Sequence, residues 1–501
     1  MMIGTTMPWL DPERLVPFSL APYASALVVF VLPNLFVMGA FFFAIATLTR
    51  RVLPAYVGVV AFFVVFSVAD AFLADLDNDM IAALVDPFGM ASLRISTRYW
   101  TVAERNTALV PLESALWLNR ALWLGLAAAC LWGTVRRFSF ASRARKPRGD
   151  GAATEASKTD APLVVVHPAF GRGTGLAQLG HVLRVELGTV LRGKAFIVIL
   201  LFGVLNVVGG ALGTIDELYG TPVLPVTHLM VRVIDQVFAL FVMIVITFYA
   251  GELVHAERQV GLHEVSDALP VPSWVPLLGK LGALWAAVFV LLGAAGLTGM
   301  GIQLVQGYTG VEVPLYAEGL WGLSLSEWAL VCVLALFFQV LVNHKYLGFL
   351  LMLLFFVSQA VLPALDLSHG LYRFGWAPEA PYSDMNGYGH YLTAALWYRL
   401  YWALFSAGLL VVANLLWVRG TDARLRLRLR EARRRATKLH TALLVGLAAG
   451  VFGVGAVILD DTTVLNRYRT EDDRDAAAVR YEQAYKAEWD GVPQPKVVAA
   501  E

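Results

Sequence analysis

Ten stretches of about twenty apolar residues recur along this 501-residue chain, and the short turns between them are basic and acidic by turns. Bilayer hydrocarbon offers no partner to a backbone N–H or C=O, so such stretches must satisfy their own peptide groups as helices. Hydrophobic residues make up 58% of the chain and charged residues 15%. A soluble domain of this length does not need that much apolar surface, so the composition predicts an all-α polytopic membrane protein. A formal net charge of +1 gives no case for nucleic-acid binding. Cys130 and Cys332 both fall inside apolar stretches and read as packing residues, with no CxxC or metal-type cluster.

The spans are expected at about 25–48, 53–74, 114–135, 195–214, 228–250, 275–304, 323–343, 346–364, 393–418 and 439–459. Arg50 and Arg51, Arg136 to Arg148, His344 and Lys345, and the run Arg424 to Lys438 then fall on one side. Asp75, Asp77 and Asp79, Asp216 and Glu217, and Asp366 and Glu379 fall on the other. The positive-inside rule places the basic side in the cytoplasm, and the N-terminus and the tail after Asp460 outside. Residues 1–24 show neither a basic n-region nor a cleavage site, so an outer N-terminus predicts upstream spans that are not in this chain.

Composition divides the chain further. Residues 138–176, small and polar around Lys146-Pro147-Arg148-Gly149, read as a cytoplasmic linker. It separates a three-span part, 1–137, from 177–438, an interfacial helix plus six spans, which 439–501 follows with a tenth span and an extracytoplasmic stalk. The interfacial helix is expected over 177–193, where Leu179, Val182, Leu183 and Leu187 mix with His181, Arg184 and Glu186. Two spans open alike, as Ala115-Leu116-Trp117 and Ala395-Leu396-Trp397, and both carry Arg-x-x-Trp, at Arg120/Trp123 and Arg399/Trp402. Interfacial anchoring with snorkelling arginines accounts for the pairs, and so do two related halves.

The segment from Gly251 to Trp274 differs from the other basic-side turns. It holds Glu252, Glu257, Glu264 and Asp267 as well as Arg258, and ends at Pro270 and Pro272. A turn needed only for topology would be short and basic. The pattern reads as a short amphipathic helix with Val260, Val265 and Leu269 as an apolar stripe, which either docks a soluble partner or anchors the loop in the interface. Gly251-Glu252, Ala256-Glu257-Arg258, Glu264 and Asp267-Ala268-Leu269-Pro270-Val271-Pro272 together resemble the coupling loop of ABC-2 type exporter permeases. Pro8 to Leu15, Arg98 to Asn106 and Tyr481 to Pro495 extend the resemblance to the membrane portion of large bacterial permeases fused to a zinc aminopeptidase-like domain. The resemblance implies an incomplete ABC-2 arrangement in the bacterial inner membrane. Family members begin with a cytoplasmic helix and three further spans, and continue past the Pro-x-Pro ending into a peptidase-like domain outside. It also implies a separate cytoplasmic ATPase subunit that binds ATP and docks on 251–274, with Glu252, Glu257, Arg258, Glu264 and Asp267 as polar contacts. Membrane lipids and a second permease copy or half are further candidate partners.

Other motifs carry less chemistry. Gly188-Thr189-Val190-Leu191-Arg192-Gly193-Lys194-Ala195 falls one residue short of a phosphate loop, because Ala195 has no hydroxyl for magnesium. His263-Glu264 lacks the second histidine of a zinc peptidase. Asp75-Leu76-Asp77-Asn78-Asp79 has calcium-loop spacing but Met80 where a glycine is needed. No catalytic residue, cofactor or metal site is expected. Asp70, Arg232 and Asp235 lie within spans, where they either line a path or gate or, for Arg232 and Asp235, pair along one helix face. The arginine run 424–435, with Leu425, Leu427 and Leu429 at i,i+2, fits a short strand or a lipid-facing basic patch, with the ATPase surface as a further contact. The expected function is that of an exporter permease. The alternative is a membrane anchor for an external peptidase-like module, and an ion-coupled carrier is disfavoured by the lack of central paired carboxylates.

Overall fold

The computed structural model describes residues 19–49, 54, 58, 61–62, 64–66, 69, 79–111, 114–138, 172–217, 223–365, 367–420, 425–466 and 468–489. Nine helices among them are long and apolar enough to cross a membrane, and no strand occurs, so the chain is an all-α polytopic membrane protein. The expected second span lies largely outside the described residues. The residues divide into two units, 1–167 with 197–223 and 168–196 with 224–501. This division groups most of the fourth span with the first three, whereas the linker in the sequence falls before it.

In the first unit, α1 (Ala21–Thr49) is followed by three short helices, α2 (Asp79–Val85), α3 (Met90–Thr97) and α4 (Val102–Thr107), and by α5 (Ser114–Arg137). Val37 and Ala40 of α1 meet Ala127 of α5 and Phe62, with Trp123 and Phe42 packed around them. Thr101 and Glu104 form a capping box at the start of α4, and the two hydrogen bonds from Thr101 hold the Glu104 carboxyl below its usual range. Asp79 pairs with Arg98 at 3.0 Å and raises that guanidinium's pKa. The rest of the calcium-like run lies outside the described residues. Arg120 does not snorkel: it is 5% exposed and donates to Asn34 Oδ1 at 2.7 Å. A Cβ on Gly89 would fall 1.8 Å from its Nη2, so only a glycine lets the chain turn there, at φ +74°.

The second unit holds α6 (Arg172–Leu191) and the first residues of α7 (Lys194–Glu217). It continues with α8 (Thr227–Gln259), α9 (His263–Ser266), α10 (Trp274–Val305), α11 (Val313–Val342), α12 (Lys345–Ala364), α13 (Tyr391–Leu416), α14 (Leu425–Arg435), α15 (Lys438–Leu465) and α16 (Glu471–Trp489). Helix α6 is the expected amphipathic helix, but it packs on α10 rather than only lying in an interface. Gly279 and Gly282 let it come close: a Cβ would sit 2.5 Å from Val182 at the first and 3.0 Å from Leu183 at the second. Helix α8 packs on α10, α11 and α12, α11 on α13, and α13 on α15. The turns 260–273 and 343–344, residues 417–420 and α14 share one end of this unit with α6, here the basic end.

The arginine run is a helix, not a strand. The reason lies in Arg428, which is buried and donates to the carbonyls of Val340, Leu341 and Leu416. These carbonyls end α11 and α13, where the last turn leaves acceptors without helical donors. One guanidinium satisfies both helix ends, while Leu425, Leu427 and Leu429 stay exposed. Burial lowers the Arg428 pKa. At the opposite end, Arg399 also turns inward, donating to Gly375 O at 3.0 Å and pairing with Glu327 at 2.7 Å. In each unit, then, the arginine of the Arg-x-x-Trp pair turns inward against a positive-φ glycine of a preceding turn: Arg120 lies beside Gly89, and Arg399 bonds to Gly375.

Candidate functional site

The segment 251–274 is not one loop. Gly261, at φ +75°, is its first residue of left-handed conformation, and nothing before it stops a helix, so α8 runs on through Glu252, Glu257 and Arg258. The expected amphipathic helix shrinks to the single turn α9, and Pro270 and Pro272 lie in the non-helical stretch before α10.

Four of the five predicted contact residues are used inside the protein. Glu252 pairs with Lys345 at 2.5 Å. Glu257 accepts from Lys280 at 2.9 Å and from Ser266 at 2.9 Å. Lys280 also reaches Glu186 of α6, at 2.5 Å, and is itself only 2% exposed. Two carboxylates around one ammonium are what a lysine needs to stay charged in such a site. Arg258 donates to Val418 O at 3.0 Å and lies 3.7 Å from Asp267. Asp267 accepts the backbone N–H of Gly420 at 2.9 Å, and Gly420 takes φ +87° to present it. Arg419 donates to Val271 O. Only Glu264 remains exposed with no partner among the described residues. The pairing has a simple cause: acidic residues next to apolar spans are expensive to leave unpaired, and the basic residues of neighbouring helices are within reach.

With its charges turned inward, the loop shows solvent an apolar tip. Val260 is 69% exposed, Leu262 60%, Val265 66% and Leu269 52%. The expected stripe of Val260, Val265 and Leu269 is present as an exposed surface, with Leu262 added. Beneath it lies a cavity of about 330 Å³ between α6, α8 and the 417–419 turn, lined by His181, Val185, Val254 and Trp417 among others. The loop is thus fastened at three places: to α6 and α10 through Lys280, to the end of α13 through residues 418–420, and to α12 through Lys345.

Several of these residues escaped the sequence reading. Lys280 carried a visible signal, a lysine six residues into an apolar helix. His255 and Gln339, both buried and 3.2 Å apart, gave a weaker one. Gly251 and Gly348 gave none that spacing reveals: a Cβ would fall 2.3 Å from Phe349 at the first and 2.4 Å from Gln339 at the second, so both mark a close helix crossing.

The expected path residues are Asp70, Arg232 and Asp235. Asp70 lies outside the described residues. Arg232 and Asp235 form no ion pair with each other, and Ser324 of α11 donates to the Asp235 carboxylate at 2.7 Å. The phosphate-loop-like run spans the end of α6 and the start of α7, with no strand before it. Comparison with protein-family models, with curated proteins and with solved structures finds no match.

Proposed function

We propose that this chain is the membrane-spanning permease subunit of an ABC-type exporter and that a cytoplasmic ATPase docks on the tip of the 260–269 turn. The observation that carries the reading is the division of labour in this loop. Apart from Glu264 its exposed residues are apolar, as the core of a partner-binding surface requires, while its other charged residues tie it to α6, α10 and α13. A partner that moved the tip would therefore move these helices, because ion pairs and hydrogen bonds link them. Of the charged residues first assigned to the partner, Glu264 keeps that role; Glu252, Glu257, Arg258 and Asp267 transmit the movement. The basic residues around the loop support its placement in the cytoplasm.

The test is a pull-down in detergent with the ATPase co-expressed. Leu262→Asp with Val265→Asp is expected to lose the ATPase. Asp267→Asn is expected to keep it and to lose the stimulation of ATP hydrolysis by the membrane subunit. Undiminished capture by the double aspartate variant rejects the docking surface.

A further inference from the structure

At the end of the second unit opposite the docking loop, the start of α13, the end of α15 and the segment 368–378 enclose a cavity of about 880 Å³. Its walls are aromatic, from Trp376, Trp397, Tyr398 and Tyr468, and Asp461 adds a carboxylate. A second cavity of about 420 Å³ is lined by Asn466, Arg469 and Arg474. The two share Thr462, Tyr468 and Arg474, so they adjoin.

The walls are held in place. Ser368 Oγ and Tyr468 OH are 2.5 Å apart, and His369 bonds to Thr462 at 3.1 Å, fixing the outer segment to α15. Trp376 meets Tyr398 edge-on at 5.4 Å, over Gly370, where a Cβ would lie 2.2 Å from the indole. Tyr398 is only 7% exposed and lines the cavity, yet its hydroxyl has no hydrogen-bond partner among the described residues. Asp461 likewise has no cationic partner among them, accepting only from Asn466 at 3.4 Å. Arg474 makes a single long contact, to Arg469 O at 3.5 Å.

Aromatic faces beside an unpaired carboxylate favour a cation, and paired arginines favour a phosphate. The two sites touch, so one molecule carrying both charges fits them together. The position, where two spans begin and end, is the headgroup level of a bilayer. We propose that the joined cavities bind the headgroup of a zwitterionic phospholipid, its ammonium in the aromatic chamber against Asp461 and its phosphate at Arg469 and Arg474. Tyr398 OH then supplies a polar contact on the buried wall. The site stands apart from the docking loop and does not depend on the exporter reading.

The test uses the whole chain, delipidated in detergent, and short-chain lipids titrated by native mass spectrometry. Dihexanoyl phosphatidylethanolamine is expected to bind about tenfold more tightly than dihexanoyl phosphatidylglycerol, which has the phosphate but no ammonium. Asp461→Asn is expected to reduce that preference to under about threefold, and Arg474→Ala to weaken both lipids alike. Both side chains are exposed, so the variants should melt with the parent protein. Equal binding of the two lipids by the parent chain overturns the proposal, as does a preference that Asp461→Asn leaves intact. Soluble glycerophosphoethanolamine should compete only weakly. If it binds as well as the lipid, the ligand is a soluble ester and the lipid assignment falls.

Discussion

Lys280 shows what a single buried charge demands. Its ammonium, on a buried side chain, sits between Glu186 and Glu257. Lys280→Met leaves two carboxylates facing each other without a counter-charge, and should lower stability by about 3 kcal/mol. Adding Glu257→Gln should recover part of the loss, which thermal unfolding of the single and double variants in detergent will read. Arg428 is a second such residue, since its removal frees the last carbonyls of α11 and α13 together. Arg428→Gln should cost about 3 kcal/mol, and Arg428→Lys nearly as much, because one ammonium does not span both helix ends. His369 works in the neutral form: its Nδ1 accepts from Leu371 N–H, so Nε2 carries the proton toward Thr462. Burial lowers its pKa from the ordinary 6.5. The stability it contributes is therefore complete above pH of about 6.5 and is lost as the pH falls below that. Melting temperatures between pH 8 and pH 5 should drop further for the parent chain than for His369→Gln.

At the scale of elements, the close crossing of α6 on α10 is the most exposed to test. Gly279→Leu would drive a side chain into Val182 and should free α6 for proteolysis while leaving the spans folded. The spans themselves were legible, because about twenty apolar residues in a row leave a chain few choices. Their partners were less so. Leu425, Leu427 and Leu429 alternate as a strand does, yet the segment is a helix, because Arg428 is fixed by carbonyls from two other helices. Gly251 and Glu252 looked like the start of a loop, since no breaker marks where a span leaves the membrane while its helix continues. The candidate site was readable as a place but not as an arrangement. Local sequence located 251–274, whereas the partners of Glu257 and Asp267 come from positions as distant as Glu186, which binds Lys280, and Gly420.

At the scale of the molecule, coupling to an ATPase requires the docking tip to lie on the cytoplasmic side and to move with the helices it is tied to. Spans of opposite charge bias at their two ends argue for that threading. Loosening the ties should separate binding from work, so Arg258→Gln is expected to leave the ATPase bound and cut coupled ATP hydrolysis at least about fivefold, as coupling energies of 1–3 kcal/mol imply. The most direct measurement is labelling of Val265→Cys, 66% exposed in the parent side chain, in a chain whose Cys130 and Cys332 have been replaced. Met385→Cys, at the opposite end and 97% exposed, serves as its counterpart. In intact cells a membrane-impermeant maleimide should modify position 385 and spare 265. In inverted vesicles it should modify 265 and spare 385, and bound ATPase should block 265. Modification of position 265 in intact cells would contradict the account.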